Sequence, residues 1–285
     1  MSISNSELET KYQHLLQNLA EMDSVVIALS GGVDSALLAH AAYQALGVRA
    51  IAMTADSPSM PRRELSEARR LAQQIGIRHI VFKSHEMEDP RYTANPVDRC
   101  YYCKVETFAE IERIAQERGY KTICYGENLD DNSDYRPGSN AAKEFGVRSP
   151  LKEVGLGKLE IRQLAQNFDL PVWDKPASAC LSSRFPYGAE ITVEKLSQVE
   201  EAEDYLWVLG FKQYRVRHHE TIARIEVAED EMGKLLKHAE AIVERFRQLG
   251  FKYITMDLAG YRRGSLNEPA ISAGLIPLAV IDQKL

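Results

Sequence analysis

The strongest constraint in this sequence is six residues long. Ser30-Gly31-Gly32-Val33-Asp34-Ser35 follows Ser24–Leu29 (SVVIAL), a short apolar run rich in β-branched residues, and opens a stretch to Leu46 with apolar residues at helical spacing. A strand that turns through paired glycines into a helix presents unpaired backbone N–H groups and the positive end of a helix dipole, and glycine lets an anion come close to the backbone. The hydroxyls of Ser30 and Ser35 add donors. The string is neither G-x-x-x-x-G-K-[ST], which needs a lysine on the β and γ phosphates, nor G-x-G-x-x-G. It predicts a phosphate-binding loop of another kind; the alternative is a plain capped strand–helix turn.

The first half of the chain repeats this alternation. Strands are expected at Val48–Thr54, Arg78–Phe82 and Thr122–Tyr125, and helices at Arg62–Ile75, Lys104–Arg118 and Lys158–Asn167. Strands separated by helices of this length imply crossovers and a parallel sheet, with ligands at the C-terminal ends of the strands. The loops at Ser30, Ala55 and Gly126 are therefore the expected site. Near Pro176–Gly188 the texture changes to a loop of small residues and prolines, PASACLSSRFPYG. Beyond it come a helix (Val193–Leu209), strands at Gln213–His218 and Thr221–Val227, one helix from Asp230 to Leu249, and a strand at Tyr253–Asp257. That order, α-β-β-α-β, predicts a small α+β domain. The boundary is placed near Phe185, giving residues 1–185 and 186–285 as two domains.

Charge and cysteine content narrow the class. The chain has 35 Lys+Arg and 41 Asp+Glu, so its formal net charge is 35 − 41 = −6, which argues against a general nucleic-acid coat. Four cysteines in 285 residues are too few for a disulfide scaffold. The N-terminal stretch carries charges and no signal-peptide core, and the apolar stretch from Ala270 to Ile281 is shorter than the ~20 residues a bilayer span needs. A cytoplasmic, reducing location without membrane attachment is expected.

Cys100 and Cys103 form C-x-x-C in DRCYYCK, and Cys180 lies in SACLSSR; Cys124, inside an apolar strand, reads as a core residue. Zinc wants four N or S ligands, and there is no second C-x-x-C. A thiol–disulfide pair at a helix start is a second reading. A third is an iron–sulfur cluster on three thiolates, which leaves one iron open. Spacing alone does not choose among them. Arg215 and Arg217 alternate on one strand and so share a face; two guanidinium forks suit a phosphate monoester, although exposed edge-strand arginines would look the same. His218-His219-Glu220 reads as a turn rather than a metal site, because neighbours on a strand face opposite ways.

SGGVDS resembles the pyrophosphate-binding loop of the N-type ATP pyrophosphatases, a PP-loop fold of the adenine nucleotide α-hydrolase-like (HUP) type. The resemblance implies ATP bound through Ser30, Gly31, Gly32, Asp34 and Ser35, adenine near Thr54 and Ser57, and the Gly126–Asp131 loop (GENLDD) alongside; Asp131 suits Mg²⁺ or the phosphate side, the alternative for Asp130 and Asp131 being a solvated loop. Arg148-Ser149-Pro150-Leu151 followed by Lys158-x-x-Ile161-Arg162 matches a further string of that family, whose charges either reach the nucleotide or serve the fold. Taken with DRCYYCK, GENLDDNSDYRPG, PASACLSSRFPYG and DLAGYRRGSLNE, the chain is similar to the LarE-type sulfur transferases over nearly its whole length. This family activates the carboxylate of a pyridinium dicarboxylate mononucleotide as an adenylate and converts it to a thiocarboxylate. One branch sacrifices the sulfur of the cysteine matching Cys180; another has three cysteines and a 4Fe–4S cluster as sulfur carrier. With Cys100, Cys103 and Cys180 all present, this chain resembles the cluster branch. The resemblance also implies catalytic roles for Cys180, Cys100, Cys103 and Asp34, substrate phosphate on Arg215 and Arg217, Arg184 near a phosphate, Glu203 at a subunit contact, an iron–sulfur or sulfide source as partner, and a homo-oligomer, such as a hexamer. Its rivals are a tRNA thiolase, which should carry a basic RNA-binding surface, an amide-forming synthetase, which leaves the cysteines without a role, and a nucleotide sensor with structural zinc.

Overall fold

Helices and strands follow one another as α1 (Asn5–Ala20), β1 (Val25–Ala28), α2 (Val33–Leu46), β2 (Ala50–Asp56), α3 (Arg62–Ile75), β3 (Arg78–Lys83), α4 (Pro90–Thr93), α5 (Arg99–Glu117), β4 (Thr122–Tyr125), α6 (Gly138–Glu144), α7 (Pro150–Glu153), α8 (Lys158–Asn167), α9 (Val193–Val208), β5 (Tyr214–His219), β6 (Ile222–Val227), α10 (Met232–Lys237), α11 (Ala239–Gln248) and β7 (Tyr253–Met256). The structure, a computed structural model, describes residues 5–133, 137–176, 179–262, 264–265, 271 and 274. Parts of the GENLDDNSDYRPG, PASACLSSRFPYG and DLAGYRRGSLNE strings, and nearly all of the apolar stretch from Ala270, lie outside the described residues. No described helix is long and apolar enough to cross a membrane.

The chain forms two compact units. The first comprises residues 1–86, 100–178 and 283–285, and the second residues 87–99 and 179–282. The division thus falls ahead of Phe185, and a segment from the first half joins the second unit. Packing explains both shifts. Phe185 is fully buried with Leu181, Ile191, Leu196 and Val199. The hydroxyls of Tyr92 and Ser182 share a hydrogen bond at 2.6 Å, Asn95 Nδ2 donates to the Pro186 carbonyl at 2.7 Å, and Ile191 N–H donates to the Thr93 carbonyl at 2.9 Å.

The first unit is built on a four-stranded parallel sheet in the order β3-β2-β1-β4. Parallel strands are covered on both faces, and alternation along β1 shows how. Val25 and Ile27 pack with Leu8, Tyr12, Leu15 and Leu19 of α1 and with α2 and α8, whereas Val26 packs with Phe108, Ile111 and Ile114 of α5. Helix α1 was not among the sequence expectations. α5 begins five residues earlier than expected, so the C-x-x-C motif lies inside its first turns.

The second unit holds a three-stranded sheet, β5-β6-β7, with β5 antiparallel and β7 parallel to β6. Its core joins Val216, Ala223, Ile225 and Val227 to Leu206, Phe246 and Phe251. The single helix expected over Asp230–Leu249 is instead two, broken at His238 (φ −99°, ψ 10°). The His238 N–H closes α10 on the Lys234 and Leu235 carbonyls, and its own carbonyl receives the Ile242 N–H of α11. The break lets Leu235, Ile242 and Phe246 all reach one core.

A turn was expected over His218-His219-Glu220, but His218 and His219 are the last residues of β5, paired with β6, and only Glu220 lies in the turn, with a φ of 54°. His218 faces inward at 3% exposure, 5.0 Å from the Phe185 ring and 5.5 Å from that of Phe251, with Nε2 2.9 Å from Gln198 Oε1. Burial holds its imidazole down, at about 4. The folded state therefore keeps His218 neutral where the unfolded chain already binds a proton. The stability this gives is complete above the ordinary histidine pKa of about 6.5 and is lost as pH falls from there toward 4. The second unit should lose roughly 2 kcal/mol between pH 7 and pH 5, measured by urea titration, and His218→Gln should flatten that slope. An equally steep slope in the variant would contradict this assignment.

Candidate active site

The C-terminal ends of β1 and β4 meet at the glycine loop. Leu29 continues β1, donating its N–H to the Met53 carbonyl at 2.8 Å, while its own carbonyl accepts from Thr54 Oγ1 at 2.7 Å. Gly31 then takes a φ of +80°, a conformation that side chains disfavour. Ser35 Oγ closes the loop. It accepts the Ser30 N–H at 3.2 Å, donates to the Gly32 carbonyl at 3.0 Å and meets Ser30 Oγ at 3.1 Å. Gly32 caps α2 without a side-chain acceptor, so the first-turn N–H groups receive no side-chain cap. A helix start of this kind is an anion site.

Gly126 presses against that turn. A Cβ there would lie 2.7 Å from Ser35 N and 3.0 Å from the Asp34 carbonyl carbon, so only glycine permits the approach. Beyond it, Asn128 Nδ2 donates to Asp34 Oδ1 at 3.2 Å, and Lys158 Nζ reaches Asp34 Oδ2 at 2.5 Å. Asp130 Oδ2 accepts the Lys158 N–H at 2.6 Å, fixing the start of α8 to the same loop. Asp131, expected toward Mg²⁺, is buried, and its Oδ2 accepts the Asn128 N–H at 3.1 Å, a loop-holding contact. Lys158 and Asn128 are thus the residues that grip Asp34. Asn128 was not singled out in the sequence because its role depends on where β4 ends.

Glu127 anchors this loop from behind. Burial works to raise its carboxyl, but hydrogen bonds from Tyr125, Ser149 and Ser139, with Lys152 beside it, outweigh that and hold it below the usual carboxylate range. At the end of β2, Thr54 Oγ1 also meets His79 Nε2 at 2.8 Å. The Ser57 and Ser59 hydroxyls lie 2.8 Å apart and both stand within hydrogen-bond reach of Glu86, whose carboxyl burial pushes up.

The remaining expected residues lie in the second unit, apart from the C-x-x-C pair. Arg184 is 2% exposed and its guanidinium is committed internally. Nε and Nη2 donate to Glu203 at 2.9 and 2.8 Å, and Nη1 donates to the Ala179 and Cys180 carbonyls at 2.7 and 2.9 Å and to Ser183 Oγ at 3.0 Å. In this arrangement Arg184 holds the backbone of the Cys180 loop. Glu203, expected at a subunit contact, is its partner within the same unit and also accepts the Val216 N–H at 3.0 Å. Arg217 is likewise paired, donating to both Glu226 oxygens at 2.9 and 2.8 Å and to the Ser183 carbonyl at 2.9 Å. Arg215 differs. It shares the face of Arg217 but stacks 5.2 Å over the Tyr261 ring, and among the described residues no carboxylate forms an ion pair with it. Burial, followed by the charge of Arg184, holds Arg215 below the usual arginine range. The Glu203 carboxylate acts in the opposite sense.

None of the cysteines is in a disulfide. Cys100 is exposed, Cys103 and Cys180 are part-buried, and Cys124 is buried, its thiol pushed up to about 12 by burial. Among the described residues, no three His, Cys, Asp or Glu side chains gather as a metal site.

A parallel sheet carrying a glycine loop at an uncapped helix start defines a nucleotide-phosphate enzyme of the PP-loop class. The comparisons with known proteins agree. The NAD synthase family model matches residues 7–94. An uncharacterised protein of Synechocystis is 50% identical over 91% of this chain and 98% of its own length. The pyridinium-3,5-bisthiocarboxylic acid mononucleotide synthase of Lactiplantibacillus plantarum is 37% identical over 95% of this chain and 99% of its own. A tRNA-specific 2-thiouridylase of Rickettsia rickettsii is 26% identical over 56% of this chain and 53% of its own, so the synthase similarity extends over far more of the chain. The chain belongs to the LarE-type sulfur transferase family.

Gly126→Ala is expected to force β4 and α2 apart and lower stability by ~1–3 kcal/mol, read by urea titration. A midpoint equal to that of the parent would contradict the close approach.

Proposed function

We propose that this enzyme adenylates the carboxylate of a pyridinium-3,5-dicarboxylate mononucleotide with ATP and replaces the activated oxygen by sulfur, giving the thiocarboxylate used in a nickel-pincer cofactor. The observation that carries this reading is the SGGVDS loop on the uncapped start of α2, in a chain similar along nearly its whole length to a synthase whose name states a bisthiocarboxylic product.

In this mechanism the N–H groups of the loop and the hydroxyls of Ser30 and Ser35 hold the β and γ phosphates, and adenine lies toward Thr54 and Ser57. Asp34, with Asp131 in support, offers carboxylate oxygen to Mg²⁺, which takes such ligands. Lys158, now on Asp34, neutralises charge as the α phosphorus is attacked. The substrate carboxylate oxygen bonds to that phosphorus and pyrophosphate leaves with the bond it breaks. A sulfur nucleophile then bonds to the acyl carbon and AMP departs. Arg215 takes the substrate phosphate and Arg217, held by Glu226, stiffens the same strand face. Arg184 fixes the Cys180 carbonyl and so sets the backbone from which that thiol projects.

Cys100, Cys103 and Cys180 are proposed to hold a 4Fe–4S cluster. Three soft thiolates suit iron–sulfur ligation, and a cluster held by them would supply an open iron position for sulfide. The described residues display no assembled donor set, so no step above passes through the cluster. The same reading has the protein acting in the cytoplasm, on a small nucleotide rather than a nucleic acid, supplied by a sulfide or iron–sulfur source, and as an assembly of several copies.

Anaerobic purification followed by iron, sulfide and zinc analysis tests the cluster. About four irons per chain, lost in Cys100→Ala, Cys103→Ala and Cys180→Ala alike, are expected. Zinc instead, or an essential Cys180 with no metal, would contradict it. Asp34→Asn should lower substrate-dependent pyrophosphate release by roughly 100-fold; release at the parent rate would remove Asp34 from the mechanism.

A further inference from the structure

Lys175 has no role in the preceding account, yet its ammonium touches the phosphate loop. Nζ donates to the Gly31 carbonyl at 3.3 Å and to Glu64 Oε2 at 2.6 Å, and a third bond goes to Glu67. All three donors are thereby used. The side chain is 17% exposed. Its backbone is held in place by Arg162 of α8, which donates to the Trp173 and Lys175 carbonyls at 2.6 and 2.7 Å. Arg162, considered above as a residue reaching the nucleotide, spends these donors on the chain that carries Lys175.

The target of the ammonium is specific. Gly31 is the residue with φ +80° in the loop, and a Cβ on it would lie 3.4 Å from the Glu64 carbonyl and 3.7 Å from Ala68 Cβ. Gly31 thus lies beside α3 and is tied through Lys175 to two acidic side chains of that helix. In a trans peptide the carbonyl of one residue and the N–H of the next point in opposite directions. A carbonyl pinned toward α3 turns the Gly32 N–H away from α3, onto the side of the Ser30 hydroxyl, whose Oγ it reaches at 3.5 Å.

We propose that Lys175 is a positioning residue of the phosphate loop. It fixes the Gly31–Gly32 peptide plane so that the Gly32 N–H is preset for a pyrophosphate group, while Glu64 and Glu67 keep the ammonium on the carbonyl instead of on the ligand. Donors set in advance spare the ordering cost at binding. This rests on the reading of the loop as an ATP site.

The test compares three ligands by calorimetry on the full chain: ATP, inorganic pyrophosphate and AMP. Lys175→Met should weaken ATP and pyrophosphate about tenfold, since one preset donor is lost, and leave AMP, which lacks the pyrophosphate group, within about twofold. Lys175→Arg should restore most of the loss. Equal weakening of all three ligands would mean a general structural role and would overturn the proposal, as would unchanged pyrophosphate binding. Glu64→Gln gives a second route that leaves the lysine in place. Its pyrophosphate affinity should fall severalfold, and a gain would show that the ammonium is itself a phosphate ligand, against the proposal. If the parent protein bound neither ATP nor pyrophosphate, the loop reading itself would fail.

Discussion

A side chain at position 126 would put its Cβ 2.7 Å from the Ser35 amide nitrogen, so the end of β4 and the first turn of α2 meet backbone to backbone. The site in the first unit depends on that contact. It brings Asn128 to Asp34 and lets the Asp130 carboxylate hold the start of α8, from which Lys158 reaches Asp34. On the other side of the loop, Ser35 Oγ ties Ser30 to Gly32 and leaves the helix start without a side-chain cap. An acidic residue in the first turn, a cation on it and backbone N–H groups beside it are the features that the proposed ATP site would use.

The second unit works by a different constraint. It buries Arg184, Arg217, Glu203 and Glu226 almost completely, and each guanidinium meets its carboxylate through two parallel bonds. Removing one member of such a pair leaves an uncompensated buried charge, typically ~3–5 kcal/mol. These pairs therefore give rigidity, at the backbone of the Cys180 loop and along β5. Arg215 is the member of this group that stacks on the Tyr261 ring, with no ion pair to a carboxylate among the described residues.

Much of the fold was legible because periodicity reports it directly. The limits of α3, β4 and α8 agree with the residues expected, and the loop at their centre was visible as a string. Helix α1 also carries a signal, with Leu8, Tyr12, Leu15 and Leu19 at helical spacing and all buried. The break at His238 was not legible, since apolar spacing continues across it and only packing on the sheet separates α10 from α11. The same holds for the arginines. Sequence shows Arg184, Arg215 and Arg217 as equivalent cations, whereas tertiary structure pairs two of them with Glu203 and Glu226 and spares the third. Lys175 escaped notice because its partners, Gly31, Glu64 and Glu67, lie over a hundred positions away.

The central claim is that the glycine loop serves to transfer AMP onto a carboxylate. The most direct measurement supplies ATP and the pyridinium dicarboxylate mononucleotide with heavy oxygen in its carboxylates, in the presence of a sulfide source, and follows the label by mass spectrometry. Adenylation followed by sulfur entry predicts one heavy oxygen in AMP, none in pyrophosphate, and sulfur in its place in the product. Label absent from AMP, or ADP and phosphate formed instead of AMP and pyrophosphate, would contradict the account.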